Sequence, residues 1–333
     1  MKNWINRIIE NEQRVAVPIL THPGIEKIGK KVADAVTDGQ VHYEAIKAVS
    51  DAYPSAACTV IMDLTVEAEA FGAKINLPED EVPSVIGRLV SNAADVEALQ
   101  VPDLSAGRIP EYLKANRLAV ENIKDKWVFA GCIGPYSLAG RLYDMSEIMV
   151  AIYIEPDTIH QLLDKCTRFI IAYCRELKKT GTQGVIMAEP AAGLLSNEDC
   201  AEYSTRYVRQ IVEAVQDDSF SVILHNCGNK GQCTETMIES GAAALHFGNA
   251  IDMAETLGKC PSDLIVMGNI DPVNLFKTAT PERVKEATWE LLKKAGKYKN
   301  FILSSGCDIP PHTPEANIQA FYEALDEYNR SLR

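Results

Sequence analysis

Eight short apolar runs recur along this chain, each separated from the next by a longer stretch whose apolar residues fall three and four apart. The runs are Val15 to Leu20, Ala57 to Leu64, Trp127 to Ile133, Gly184 to Ala188, Phe220 to His225, Ala243 to Phe247, Leu264 to Gly268 and Phe301 to Ser304. Such runs read as buried strands, whereas stretches such as Asp157 to Lys179 and Asn197 to Val215 read as amphipathic helices. A strand followed by a helix, eight times over, requires parallel strands joined by right-handed crossovers. The commonest closed solution for that count is a (β/α)8 barrel. The expected fold is therefore α/β, a single TIM barrel domain over residues 1–333, with an open doubly wound sheet as the alternative. Two excursions, Phe71 to Lys126 and Gly134 to Pro156, are expected to add helices after the second and third strands.

Composition narrows the partners. The chain is 47% hydrophobic and 24% charged, close to an average globular domain and unlike a disordered one. Its 46 acidic and 33 basic residues leave a formal charge of -13, which repels phosphate backbones and anionic lipid heads. Neither nucleic acid nor a membrane is expected as a partner. The opening MKNWINRIIENEQRV has no apolar signal core, and no stretch reaches the roughly 18 apolar residues of a spanning helix; a cytoplasmic location is expected. Nine scattered cysteines fit free thiols and metal ligands better than a disulfide framework.

The strongest local signal is Leu224-His225-Asn226-Cys227-Gly228-Asn229 at the end of the fifth run. Residues two apart in an extended chain project to the same side, so the His225 ring and the Cys227 sulfur can reach one ion. Imidazole with thiolate suits zinc. A third ligand is expected at Cys307, in the turn Ser304-Ser305-Gly306-Cys307-Asp308-Ile309-Pro310-Pro311 after the eighth run, because all strand C-termini of a barrel meet at one rim. Three protein ligands leave one position open, the mark of a catalytic zinc. Cys233 could close the site as a fourth ligand, although its place early in the next helix favours packing. Carboxylates gather at the same rim: Asp63, Glu67 and Glu69 after the second run, Glu189 after the fourth and Asp271 after the seventh. Each has a plainer reading as a helix cap or first-turn acid. Gly131 to Ser137 carries two glycines without the spacing of a phosphate loop, and reads as a tight turn.

Taken with His225-Asn226-Cys227 and Cys307, the segments DLTVEAEAFG (63–72), GPYSLAGRL (134–142), GNIDP (268–272) and SSGCDIPPHTPEANIQA (304–320) resemble the uroporphyrinogen decarboxylase superfamily from about Pro18 onward. The likeness is to its zinc-dependent methyltransferase branch, typified by methylcobamide:coenzyme M methyltransferases. The decarboxylases carry an arginine-rich segment that grips porphyrinogen propionates; here the corresponding stretch is Leu20-Thr21-His22-Pro23-Gly24, without arginine. The resemblance implies zinc on His225, Cys227 and Cys307, a thiol as acceptor, and a methylated corrinoid as donor. Decarboxylation of a tetrapyrrole is the alternative. It further implies catalytic roles for Asp63, Glu67 and Glu189 beside the open position, with Asp63 or Glu67 steadying the second ring nitrogen of His225. Gly134, Tyr136, Asn269 and Asp271 are the expected contacts of the corrinoid. A thiolate on soft, thiolate-rich zinc is a nucleophile. With no further domain after Pro314, the corrinoid is expected on a separate corrinoid protein that lands on the two excursions. Coenzyme M would need a cation for its sulfonate, for which Arg141 and Asn269 are candidates; homocysteine suits the ligand set equally well.

Overall fold

Seven of the eight apolar runs form parallel strands in the computed structural model, which describes residues 4–332; the ends of the 1–333 span lie outside the described residues. These strands are β1 (Ala57–Thr59), β4 (Trp127–Ile133), β5 (Gly184–Ala188), β6 (Ser221–Asn226), β7 (Ala244–Phe247), β8 (Ile265–Ile270) and β9 (Phe301–Ser305), and they lie side by side in that order as one curled sheet. Helices connect each to the next, the longest being Pro156–Lys179 before β5. No described helix is long and apolar enough to cross a membrane.

The first run behaves differently from the expectation. Val15 to Leu20 makes only an isolated bridge from Ala16 to Leu303 of β9, with Val17 N–H donating to Leu303 O at 2.9 Å and Leu303 N–H to Val15 O at 3.1 Å. Its other edge meets the approach to β1, where Ala56 N–H donates to Ala16 O at 2.9 Å. Pro18 has no N–H to give to a ladder. The next two donors turn to side chains, Ile19 N–H to Ser305 Oγ and Leu20 N–H to Thr59 Oγ1. The second run is shortened in the same way: beyond Thr59, Ile61 N–H donates to His42 Nε2 and Met62 N–H to Asp308 Oδ2.

The first excursion corrects the expectation of helices alone. It opens with an antiparallel hairpin, β2 (Lys74–Asn76) on β3 (Ser84–Ile86), before helices Ala93–Ala98 and Ile109–Asn122. The second excursion is helical as expected, Pro135–Tyr143 followed by Met145–Ile154.

Alternation along the strands builds two apolar layers. Phe129, Ile186, Ile223, Ile265 and Ile302 point inward and meet Val17 and Ile19 of the first run. Trp4 plugs the end of this inner core, edge-on to Phe129 at 5.1 Å, its Nε1 donating to Ser221 Oγ at 3.0 Å. Phe129 is fully buried. Phe129→Ala should therefore cost about 3–5 kcal/mol, read as a lower urea midpoint with the far-ultraviolet circular dichroism of the folded protein unchanged.

Candidate metal centre

His225 is the next-to-last residue of β6, in register with Ala188 of β5 and His246 of β7. Directly after the strand, Asn226 Oδ1 accepts from Gly228 N and Asn229 N, turning the chain outward with Cys227 at the bend. The neighbouring loops touch it with bare backbone. A Cβ on Gly193 would sit 2.2 Å from Gly228 C, and one on Gly248 would sit 2.7 Å from Cys227 O; a side chain at either position would push the Cys227 loop away. Cys307 lies two residues past β9, where Gly306 N–H donates to Ile270 O and Ile309 N–H to Ile19 O.

These loops bring His225, Cys227 and Cys307 together, with their ligand atoms all within 4.8 Å of one another. His225 Nε2 lies 3.6 Å from Cys307 Sγ. Tetrahedral zinc with Zn–S near 2.3 Å and Zn–N near 2.0–2.1 Å would hold such a pair about 3.6 Å apart, so the donor set fits zinc in both softness and spacing. The closeness of the two thiols lowers Cys227 and raises Cys307 from the ordinary thiol range. Cys233 is fully buried with its Sγ toward Ala192 O and Leu195 O, outside the cluster. All nine cysteines are free thiols.

A chain of hydrogen bonds fixes which nitrogen of His225 is bare. Ser304 Oγ donates its one proton to Val17 O at 2.7 Å. It must then accept from His246 Nε2–H, 2.8 Å away. His246 Nδ1 is left as an acceptor, and the group facing it at 2.7 Å is His225 Nδ1, which donates. His225 Nε2 therefore presents a lone pair to the two sulfurs. Burial holds His246 neutral, well below the usual imidazole range.

His246 thus replaces Asp63 and Glu67 as the group steadying His225. Asp63 instead forms a buried ion pair with Arg108 and accepts from Thr65 and from Tyr112 Oη at 3.0 Å. Glu67 accepts from Ile133 N–H at 2.9 Å while its second oxygen has no partner. Glu189 accepts from Tyr136 N–H and Ser137 N–H at the start of helix Pro135–Tyr143, and its side chain packs against Gly134. Tyr136 is buried with its hydroxyl on Met149 Sδ. Asn269 spends both amide hydrogens on Gly248 O and Ile251 O. Asp271 caps the turn at Pro272 through Val273 N–H and Asn274 N–H, its plainer reading. Arg141 is half-buried outside the cavity wall, and burial lowers its guanidinium from the usual range. His246 could have been found from sequence, since LHN and LHF end adjacent runs; Arg108, deep in an excursion, gave no signal.

Against the three donors lies a cavity of about 150 Å³ walled by His22, Met62, Leu64, Val82, Ala188, Pro190, Asp308, Pro310 and Pro311. Larger hollows of about 620 and 820 Å³ lie among Arg14, Tyr53 and Asn329 and among Trp4, Lys124 and Trp127. Both are at the opposite, N-terminal ends of the strands, the face that serves stability in such folds.

Residues 13–328 match the family model described as uroporphyrinogen decarboxylase (URO-D). A methylcobamide:CoM methyltransferase of Methanosarcina mazei is 32% identical over 276 residues, which cover 82% of this chain and 80% of that protein. A uroporphyrinogen decarboxylase of Hydrogenovibrio crunogenus is 26% identical, over 83% of this chain and 79% of its own. Among solved structures, a methyltransferase from Methanosarcina mazei shares the fold with a TM-score of 0.88 at 24% identity, covering 98% of this chain and 97% of that one.

Two outcomes follow from this geometry. His246→Ala, which removes the acceptor of the His225 Nδ1 proton, should weaken zinc binding roughly ten- to a hundredfold in a chelator competition; affinity equal to the unsubstituted protein would mean that the bond orients nothing. Burial pushes the Glu67 and Glu189 carboxyls up to about 7 from 4.5. Raised acids hold in the folded state a proton that the unfolded chain has already released, so stability should fall as pH climbs from about 4.5 to about 7 and level off above. Glu67→Gln should remove its share of that slope, on the order of 3 kcal/mol at pH 8, as measured by urea midpoints across the range.

Proposed function

This chain belongs to the uroporphyrinogen decarboxylase family, and we propose that it acts there as a corrinoid-dependent thiol methyltransferase. The observation that carries the reading is the meeting of one imidazole and two thiols at a strand-end cavity, a donor set with no task in porphyrinogen decarboxylation. The 32% identity to a methylcobamide:CoM methyltransferase supports the same reading. Held by His225, Cys227 and Cys307, zinc would supply a Lewis acid that lowers the pKa of a thiol entering the open position.

The chain's own residues do the rest. Ser304 and His246 hold His225 with Nε2 bare. Pro190, Pro310 and Pro311 give the cavity an apolar wall that excludes water from the reacting sulfur. The thiol sulfur takes the methyl carbon as the carbon–cobalt bond breaks; the electron pair stays on cobalt, the thiol proton goes to solvent, and a thioether leaves. A cavity of about 150 Å³ takes a molecule of a few heavy atoms, well below the ~300–1,000 Å³ of sites for larger ligands. A corrinoid therefore has to come over the rim, carried on a separate corrinoid protein.

We read residues 1–333 as one domain and the sheet as a closed (β/α)8 barrel with the first run as its eighth staff. The hydrogen bonds of that run to Leu303 on one side and Ala56 on the other support closure. Nine free thiols suit a reducing compartment, and we place the protein in the cytoplasm.

With methylcobalamin and a small thiol, the protein should yield thioether and cob(I)alamin, followed by the loss of methylcobalamin absorbance. Cys307→Ala should slow this at least about a hundredfold along with loss of zinc. Undiminished turnover in protein stripped of zinc, or carbon dioxide released from uroporphyrinogen, would sink the proposal.

A further inference from the structure

The four most exposed large apolar side chains among the described residues are Ile154, Tyr153, Leu194 and Val150, at 69%, 68%, 62% and 55%. Three stand on helix Met145–Ile154, where Val150 and Ile154 are four apart and share a face. Leu194 ends the turn Pro190–Leu194. Tyr153 Oη donates to Asp199 Oδ2, which also accepts from Ser196 Oγ two residues past Leu194, so helix and turn present one surface. That surface belongs to the rim of the strand C-termini: the helix lies between the end of β4 and the return helix Pro156–Lys179, and the turn follows the end of β5. Pro190 walls the metal cavity, and Leu194 comes four residues later, about 8 Å away along such a turn. An exposed apolar patch beside a site marks a contact surface.

The charges around the patch say what covers it. Glu147, Asp157 and Glu198 are exposed beside it, and neither 144–157 nor 190–199 contains a lysine or an arginine. Two copies of this chain meeting through the face would set those acids against one another, which disfavours a second copy as the occupant. A surface with an apolar centre ringed by lysine and arginine would bury the four side chains and answer the acids. We infer, resting on the methyltransferase reading, that this face docks the protein that carries the methylated corrinoid, and that the partner meets it with such an apolar, basic-rimmed surface. The cavity of about 150 Å³ takes only a few heavy atoms, so the methyl group has to be brought to its mouth from outside. A partner held on Val150, Tyr153, Ile154 and Leu194 stands next to Pro190 and can set its corrinoid against that mouth.

The test compares two kinds of methyl donor in steady-state transfer to one small thiol: free methylcobalamin, and the methylated corrinoid proteins purified by their cobalamin absorbance from the cells that make this chain. Ile154→Lys and Leu194→Lys change side chains that stand in solvent and outside the cavity wall. Each should raise the KM for the protein-bound donor about tenfold or more, while the rate with free methylcobalamin stays within about twofold. Glu147→Gln combined with Glu198→Gln should flatten the rise of that KM with added salt. An unchanged KM in both lysine variants, transfer from none of the purified corrinoid proteins, or a dimer in sedimentation that Leu194→Lys dissolves would each overturn the docking inference. The methyltransferase reading survives any of these as long as free methylcobalamin is consumed, and it fails if neither kind of donor is.

Discussion

The hydrogen-bond chain that runs from Val17 O through Ser304 Oγ and His246 to His225 Nδ1 ties the candidate centre to the fold. It crosses the first run, β9, β7 and β6, so the bare Nε2 of His225 exists only while those four segments hold their register. All three side chains are buried, where a hydrogen bond is strong and an unpaired polar group is costly. Each group in the chain has one partner on either side, so the proton positions are determined by exclusion. A serine whose hydroxyl is already committed to a backbone carbonyl leaves its histidine neighbour a single tautomer, and that tautomer dictates the next. The usual arrangement places a carboxylate or a carbonyl behind a metal-bound histidine; here a second neutral histidine takes the position, and a carbonyl ends the chain.

That arrangement explains why the carboxylates of the rim can be occupied elsewhere. Asp63 is neutralised by Arg108, whose guanidinium also reaches Glu69, Thr65 Oγ1 and Val36 O. This network joins the loop after β1 to the start of helix Ile109–Asn122 and thereby braces the excursion beside the cavity. A buried ion pair is weak evidence for stability on its own, since desolvation offsets much of the attraction, but removing one partner would strand the other charge. Glu189 braces the next loop by accepting two backbone N–H groups at a helix N-terminus, a favourable place for a carboxylate. These bonds tie down loops that flank the three candidate metal donors.

The positions of seven strands were legible in the residues themselves. Periodicity marked seven strands where they lie, because inward and outward positions must alternate apolar on both faces of a sheet covered by helices. It failed at Val15 to Leu20 and beyond Thr59 for one reason: the backbone donors there bond to Ser305, Thr59, His42 and Asp308 side chains, partners that no local pattern reveals. The β2–β3 hairpin escaped notice because each arm has only three residues, too short for an alternation to register.

For the centre, the sequence by itself determined the ligand types. A histidine two residues before a cysteine at one strand end, and a cysteine in a Gly/Pro turn at another, carry the chemistry of a soft metal site wherever the strands are parallel. The tertiary structure alone decided that the three atoms meet, that Cys233 stays apart, and that His246 rather than Asp63 or Glu67 stands behind His225. The reason is physical: a residue's type and its side of a strand are local properties, whereas which proton a neighbour has left to give depends on contacts between segments as distant as Val17 and Ser304, which exist only once the sheet has curled.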